Sequence, residues 1–407
     1  MRKPERSPDG GLAGCSPAVL STPGTAVTRA PATAALPATT SSTVPSTSPS
    51  PTLHAITSWT DVPLRAALDG GSMLALARFG AGFLGVGDVA TSPAGATAAW
   101  SSPDGVTWSL LGTVGPSGSG IFGVAASADW TMLVATGYDR GEATAWASTN
   151  GADWRPVHLP SSVPLDEIRL DAVVAGPSGF LLLGHDTIDN GLGPNAFYPP
   201  PPPMWHSPDG QRWTSVSPPD EGVRVGLQVW SLAAGPSGFI AGGAKLIGHK
   251  RVAAVWTSRD GLAWSSAIEL PDGTGATAGE GLFINAIAAG PDRTLALSGR
   301  VNDEAVGRIW VSSDGATWGP IADLRRGDPK TRILGWAGRA FISAGLAGED
   351  PDAKTLVVQS SVDGASWSRL TTFPEPPGAL PMGVATDGIR VVILAAAQDI
   401  LVGPLWP

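Results

Sequence analysis

The chain has 407 residues, with 26 Lys and Arg against 35 Asp and Glu, a formal charge of −9 and a pI near 5.0, which excludes recruitment of nucleic acid or an anionic membrane surface by a basic field. No stretch approaches the roughly 18 to 20 consecutive apolar residues of a membrane helix, and one cysteine with five scattered histidines offers neither a disulfide framework nor a metal-ligand spacing. The 53 Gly, 38 Pro and 16 Trp, beside two Tyr, point to many short strands and turns rather than helices.

Residues 1–15 end in Leu12-Ala13-Gly14-Cys15, which resembles the lipobox of bacterial lipoproteins, where cleavage before the cysteine leaves that residue lipidated. The resemblance implies an extracytoplasmic protein anchored through Cys15. Met1–Gly11 supplies charges, Pro and Gly in place of the apolar core of roughly 7 to 15 residues that a signal peptide requires, so the alternative is a cytoplasmic chain with a disordered tail. Residues 16–53 read as a disordered linker: from Ser16 to Thr52, 30 of 37 residues are Ser, Thr, Pro or Ala, and no apolar period runs through them that could bury a face. Such a stalk lets the domain at residues 54–407 clear the envelope.

Within that domain one nine-residue box recurs: WSSPDGVTW from Trp100, WASTNGADW from Trp146, WHSPDGQRW from Trp205, WTSRDGLAW from Trp256, WVSSDGATW from Trp310 and QSSVDGASW from Gln359. The starts lie 46, 59, 51, 54 and 49 residues apart, a period near 50 that suits a four-stranded propeller blade. The recurring set is Ser102, Asp104, Gly105 and Trp108, then Ser148, Asn150, Gly151 and Trp154, then Ser207, Asp209, Gly210 and Trp213. It continues with Ser258, Asp260, Gly261 and Trp264, with Ser312, Asp314, Gly315 and Trp318, and with Ser361, Asp363, Gly364 and Trp367. An Asp side chain accepts hydrogen bonds from its own turn and the following Gly takes a positive φ, so the box is a hairpin turn whose tryptophans clamp it and pack on a neighbouring unit. Asn150 makes the same turn bonds but cannot act as a general acid and is a weaker ligand for a hard cation. The boxes are therefore structural, with no metal and no cofactor expected.

The string Ser-x-Asp-Gly-x-x-Trp resembles the Asp-box, or bacterial neuraminidase repeat, of sialidases and other propellers, in a form one residue shorter between Asp and Trp. The resemblance covers the chain from about His54 onward and implies a blade, while a fold does not fix an activity.

Upstream of the boxes an apolar run, a turn and a second apolar run recur, as in LDAVVAGPSGFLLLG from Leu170, VWSLAAGPSGFIAGG from Val229 and INAIAAGPDRTLALSG from Ile284. Pro177 and Pro236 at the second turn position, and Gly179 and Gly238 at the fourth, mark tight hairpins. These are strands A and B of a blade, and the box joins strands C and D. Degenerate copies at Met73–Val86, Phe122–Gly137, Ile333–Gly345 and Met382–Ala397 bring the hairpins to seven against six complete boxes. Trp59 precedes Trp108 by 49 residues, the interval of successive boxes, so Ala55–Val62 is expected to supply the outer strand of the last blade, with Ile400–Trp406 as its third strand. The fold predicted is an all-β, seven-bladed propeller closed by pairing its two chain ends, with six blades as the alternative.

The boxes share one face with the A–B turns, so function is sought on the opposite face, in the B–C loops. The candidates there are Tyr138, Asp139, Arg140 and Glu142; His185, Asp186 and Asp189; and Arg300, Asp303 and Glu304. Sialidases grip their substrate with three Arg, one from a Phe-Arg-Ile-Pro segment, and use a Tyr–Glu nucleophile pair and an Asp acid. No such segment occurs, the region before the first box offers only Arg65 and Arg78, and Tyr138 with Glu142 is the pair that would stand in for the nucleophile. Mixed charge on the loops favours a protein or neutral glycan of the cell envelope over a polyanion. The expected function is a monomeric, non-enzymatic binding or assembly module, the alternative a glycoside hydrolase of the sialidase-like class. Trp130, Trp230 and Trp336 lie in or beside inner strands, where core packing is expected.

Overall fold

A computed structural model describes residues 58–90, 96–129, 131–186, 202–217, 225–247, 250–270, 282–300, 307–323, 329–348, 355–374, 382–396 and 398–405. These form seven four-stranded antiparallel sheets. Blade 1 is β2 (Ser72–Phe79), β3 (Gly82–Asp88), β4 (Thr97–Ser102) and β5 (Ser109–Thr113); blade 2 is β6 (Ser119–Ala126), β7 (Leu133–Asp139), β8 (Glu142–Ser148) and β9 (Arg155–Val157). Blade 3 is β10 (Ile168–Gly176), β11 (Gly179–Asp186), β12 (Met204–Ser207) and β13 (Thr214–Val216); blade 4 is β14 (Val225–Gly235), β15 (Gly238–Ile247), β16 (Lys250–Ser258) and β17 (Ile268–Glu269). Blade 5 is β18 (Leu282–Ala289), β19 (Thr294–Arg300), β20 (Arg308–Ser312) and β21 (Gly319–Asp323); blade 6 is β22 (Lys330–Trp336), β23 (Phe341–Ala347), β24 (Thr355–Ser361) and β25 (Ser368–Pro374). Blade 7 takes β26 (Gly383–Thr386), β27 (Arg390–Ala396) and β28 (Asp399–Pro404) from one end of the domain and β1 (Thr60–Pro63) from the other.

Thr60 pairs with Val402 and Pro63 with Asp399, so the ring closes through the outer strand of blade 7. The inner strands touch in succession from β2 through β6, β10, β14, β18 and β22 to β26, and β26 returns to β2. The closing strand begins at Thr60 rather than Ala55, whose neighbourhood lies outside the described residues, and the third strand runs Asp399–Pro404. Trp59 does what its spacing predicts: its ring lies flat on Gly403, where a Cβ would have no room.

Each box is the same turn. In the first, Ser102 Oγ accepts from the Gly105 N–H at 2.8 Å, Asp104 Oδ1 accepts from the Val106 and Thr107 N–H groups at 2.9 and 2.7 Å, and Trp108 Nε1 donates to the Gly105 carbonyl at 2.8 Å. Asn150 Oδ1 takes the same two backbone bonds at 2.9 and 2.8 Å. The box glycines hold φ between +71° and +81°, a region that costs other residues about 1–2 kcal/mol. The tip of each turn lies against the preceding blade: Gly105 faces Val392, Gly210 faces Met132 and Gly364 faces Leu295. The opening tryptophans Trp100, Trp146, Trp205, Trp256 and Trp310 are 1% exposed. Trp100 packs among Val392 and Val402, and Trp146 among Leu84 and Val86. The core is thus distributed between blades, and each box is both a hairpin and a blade-to-blade wedge. Blade 4 departs from the pattern, since Trp256 and Trp264 Nε1 are buried without a partner among the described residues and Ser258 Oγ lies 2.6 Å from the Ala263 carbonyl as well as 3.2 Å from Asp260 Oδ1.

The A–B turns lie on the box face, as expected. His206 Nε2, beside the third box, donates to the carbonyl of turn residue Ser178 at 3.1 Å, and burial holds the pKa of this imidazole below its ordinary value.

Candidate functional site

On the opposite face, strand A enters each blade and the B–C loops cross. The Asp139–Glu142 loop is a two-residue hairpin, with Arg140 at φ +51° and Gly141 at φ +92°, the signature of a type I′ turn. Asp139 and Glu142 are direct partners, as are Tyr138 and Ala143. Alternation along a strand then puts Tyr138 and Glu142 on opposite faces of the sheet, and the structure does not bring this pair together. Asp139 accepts from Ser119 Oγ at 3.3 Å, and exposed Arg140 lies 4.0 Å from it.

His185 opposes Arg169 across the β10–β11 pair. Its Nδ1 meets Asp171 Oδ2, and Arg169 Nε donates to Asp171 Oδ1 at 2.9 Å. One carboxylate is held between a guanidinium and an imidazole, a trio that sequence reading reached only through His185. Asp186 ends β11 opposite Ile168, and Arg300 ends β19 opposite Leu282; the side chains of both, and Asp189, Asp303 and Glu304 entirely, lie outside the described residues. So do Cys15, the linker, Trp130 and Trp406.

Asp171 occupies a β-bulge between Leu170 and Ala172. The same irregularity recurs at Leu74, Phe122, Trp230, Asn285 and Arg332, once in the inner strand of each of blades 1 to 6. A bulge adds one residue and shifts the alternation of its strand, and these bulges recur in inner strands that are neighbours in the ring. Phe122 and Trp230 are 42% and 41% exposed. Trp230 is therefore not a core residue as expected: it stands out of the sheet and meets Phe283 of blade 5 at 4.8 Å between ring centres. Phe122 meets Tyr138 at 5.6 Å. Trp336 does pack inward, edge-on to Phe341.

Towards the box face the inner strands enclose an axial cavity of about 410 Å³, lined by Ala125, Val174, Ala234, Leu334, Trp336 and Val384 with other small residues. Thr386 is the only hydroxyl-bearing or ionisable side chain among its lining residues, so no pair of carboxylates converges there, as glycoside hydrolysis requires. Among the described residues no group of three or more His, Cys, Asp or Glu could hold a metal ion, and no helix is long and apolar enough to cross a membrane.

No family model matches the chain, and no curated protein matches it. Solved structures do. Selenomethionine-substituted virginiamycin B lyase from Staphylococcus aureus is 9% identical, with a TM-score of 0.48 over 85% of this chain and 99% of that one. A catalytically inactive variant of that lyase with quinupristin is 10% identical, with a TM-score of 0.50 over the same shares. A protein from Lactobacillus plantarum is 14% identical, with a TM-score of 0.48 over 76% of this chain and 86% of that one. At such identities the likeness is one of fold. The chain is a seven-bladed β-propeller.

Proposed function

We propose that this propeller is a non-enzymatic binding module, presenting the bulged rim to a protein or glycan of the cell envelope. The observation that carries the reading is the arc of exposed aromatic side chains, Phe122, Tyr138 and Trp230, about the Arg169–Asp171–His185 trio. Aromatic side chains that a partner can bury, and fixed polar groups on a rigid scaffold, are what recognition needs. The boxes' likeness to Asp-box repeats supports kinship with that group of propellers.

The reading extends to an extracytoplasmic monomer anchored through Cys15. Antiparallel pairing of β1 with β28 places Thr60 at the box-face end of blade 7 and Pro63 at the other end.

The test is capture from envelope fractions by the full chain, by a Phe122→Ala, Trp230→Ala variant and by a Val362→Ala control on the box face. Capture by the wild type and control but not by the rim variant is expected; equal capture by all three contradicts the reading. Turnover of a chromogenic glycoside, lost in Asp171→Asn, would replace binding with hydrolysis.

A further inference from the structure

The bulged positions of blades 2, 3 and 4 alternate in chemistry. Phe122 with Tyr138 is an exposed aromatic pair, Asp171 with Arg169 and His185 a fixed polar trio, and Trp230 with Phe283 a second aromatic pair. The inner strands of these blades are neighbours in the ring, and packed sheets lie roughly 10 Å apart, so the two aromatic pairs flank the trio within reach of one extended ligand.

A protein-binding patch has an apolar centre and a polar rim. This arc has the reverse order, polar at the centre and aromatic on both sides. Aromatic faces separated by a carboxylate, a guanidinium and an imidazole match a ligand with apolar C–H faces and hydroxyl edges, which describes a chain of sugar rings. Asp171 already shares its two oxygens with Arg169 and His185, yet each oxygen keeps acceptor capacity for a hydroxyl donor. The Arg169 guanidinium is paired with that carboxylate, so the pair carries no net positive charge with which to hold an anion. The chain's net charge of −9 acts in the same direction.

Resting on the binding reading above, we propose that the rim takes a neutral oligosaccharide chain, stacked on Trp230 and Phe122 and hydrogen-bonded through its hydroxyls to the Arg169–Asp171–His185 trio. The bulges help to build the site, since Phe122, Asp171 and Trp230 each sit where the alternation of an inner strand is broken.

The experiment is affinity electrophoresis of the full chain through gels holding a neutral polysaccharide (a β-glucan, a mannan or a galactan) or a polyuronate. Trp230→Ala, Asp171→Asn and the box-face control Val362→Ala are run beside the wild type, and thermal melts confirm folding. Retardation by at least one neutral polysaccharide is expected, weakened about tenfold or more in Trp230→Ala and Asp171→Asn and unchanged in the control, with none by the polyuronate. No retardation by any neutral polysaccharide, or retardation indifferent to the rim variants, overturns the glycan proposal. If the rim variant nevertheless loses an envelope protein that the control still captures, the platform reading stands with a protein partner. If nothing is lost in either assay, both fail.

Discussion

The Arg390 guanidinium of blade 7 donates to the Pro103 carbonyl in the first box at 2.9 Å. It also pairs with Asp387, through Nε at 2.8 Å and Nη2 at 2.7 Å, and lies 5.9 Å from the Phe83 ring centre. Both charged side chains are buried, 5% and 6% exposed. The last blade is therefore fastened to the first at the box face, as well as through its inner strands. Removing one member of a buried pair strands the other charge, at about 3–5 kcal/mol. Arg390→Ala is expected to lose that much in urea unfolding; a loss under about 1 kcal/mol would show that the latch contributes little.

Asn150 departs from the other boxes, and its surroundings explain why. Its Nδ2 donates to Asp153 Oδ2 at 2.8 Å, a bond that an Asp could not make. Asn150→Asp restores the residue used by the other five boxes yet is expected to destabilise the protein by about 1 kcal/mol at pH 7, through the lost bond and the new repulsion. Adding Asp153→Ala should remove most of that penalty. Stabilisation by the single substitution would contradict the account.

Two box glycines separate conformational cost from crowding. A Cβ on Gly105 would stand 2.6 Å from Val392 Cγ2, whereas one on Gly315 meets only Thr257 Cγ2 at 3.4 Å. Gly315→Ala should cost about 1–2 kcal/mol for its positive φ alone, and Gly105→Ala a further ~1–3 kcal/mol for overpacking. Equal melting temperatures for the two variants would refute the wedge.

Acid should weaken the five Asp-bearing boxes together. Partial burial pushes the Asp209 carboxyl up, but the Arg212 and Gln211 backbone N–H groups, the Arg212 guanidinium and the Ser207 hydroxyl bring its pKa down to about 2. The Thr317 and Ala316 backbone N–H groups lead in holding Asp314 at about 2. Because the unfolded chain binds these protons first, their stabilisation is complete above about pH 4 and is lost as pH falls toward about 2. Asp88 has the opposite sign. Burial raises its pKa, so its ionised form opposes folding at neutral pH, and Asp88→Asn should raise stability at pH 7. Urea midpoints followed by tryptophan fluorescence between pH 7 and pH 2.5 check both directions.

The blades were legible because their marks are chemical. Asp or Asn before Gly between tryptophans can be read without coordinates, and the 49-residue step from Trp59 to Trp108 located the closing strand to within a few residues. The rim was less legible. A bulge leaves no compositional trace, so placing Trp230 in an inner strand suggested the core, whereas the register shift beside it turns it outward. Tyr138 and Glu142 looked adjacent because the reading lacked the two-residue turn that sends them to opposite faces. Asp171 and Arg169 carried no motif and became visible only when pairing set them beside His185.

The most direct test is a crosslink at the closure. Thr60 and Val402 face each other across β1 and β28, and directly opposed residues have Cβ atoms about 4.5–5.5 Å apart, near enough for a disulfide after slight adjustment. In a Cys15→Ser background, Thr60→Cys with Val402→Cys should form an intramolecular disulfide on mild oxidation, in the folded monomer and with a raised melting temperature. Two free thiols after oxidation of the folded protein, or only intermolecular products, would mean that the ring is not closed this way.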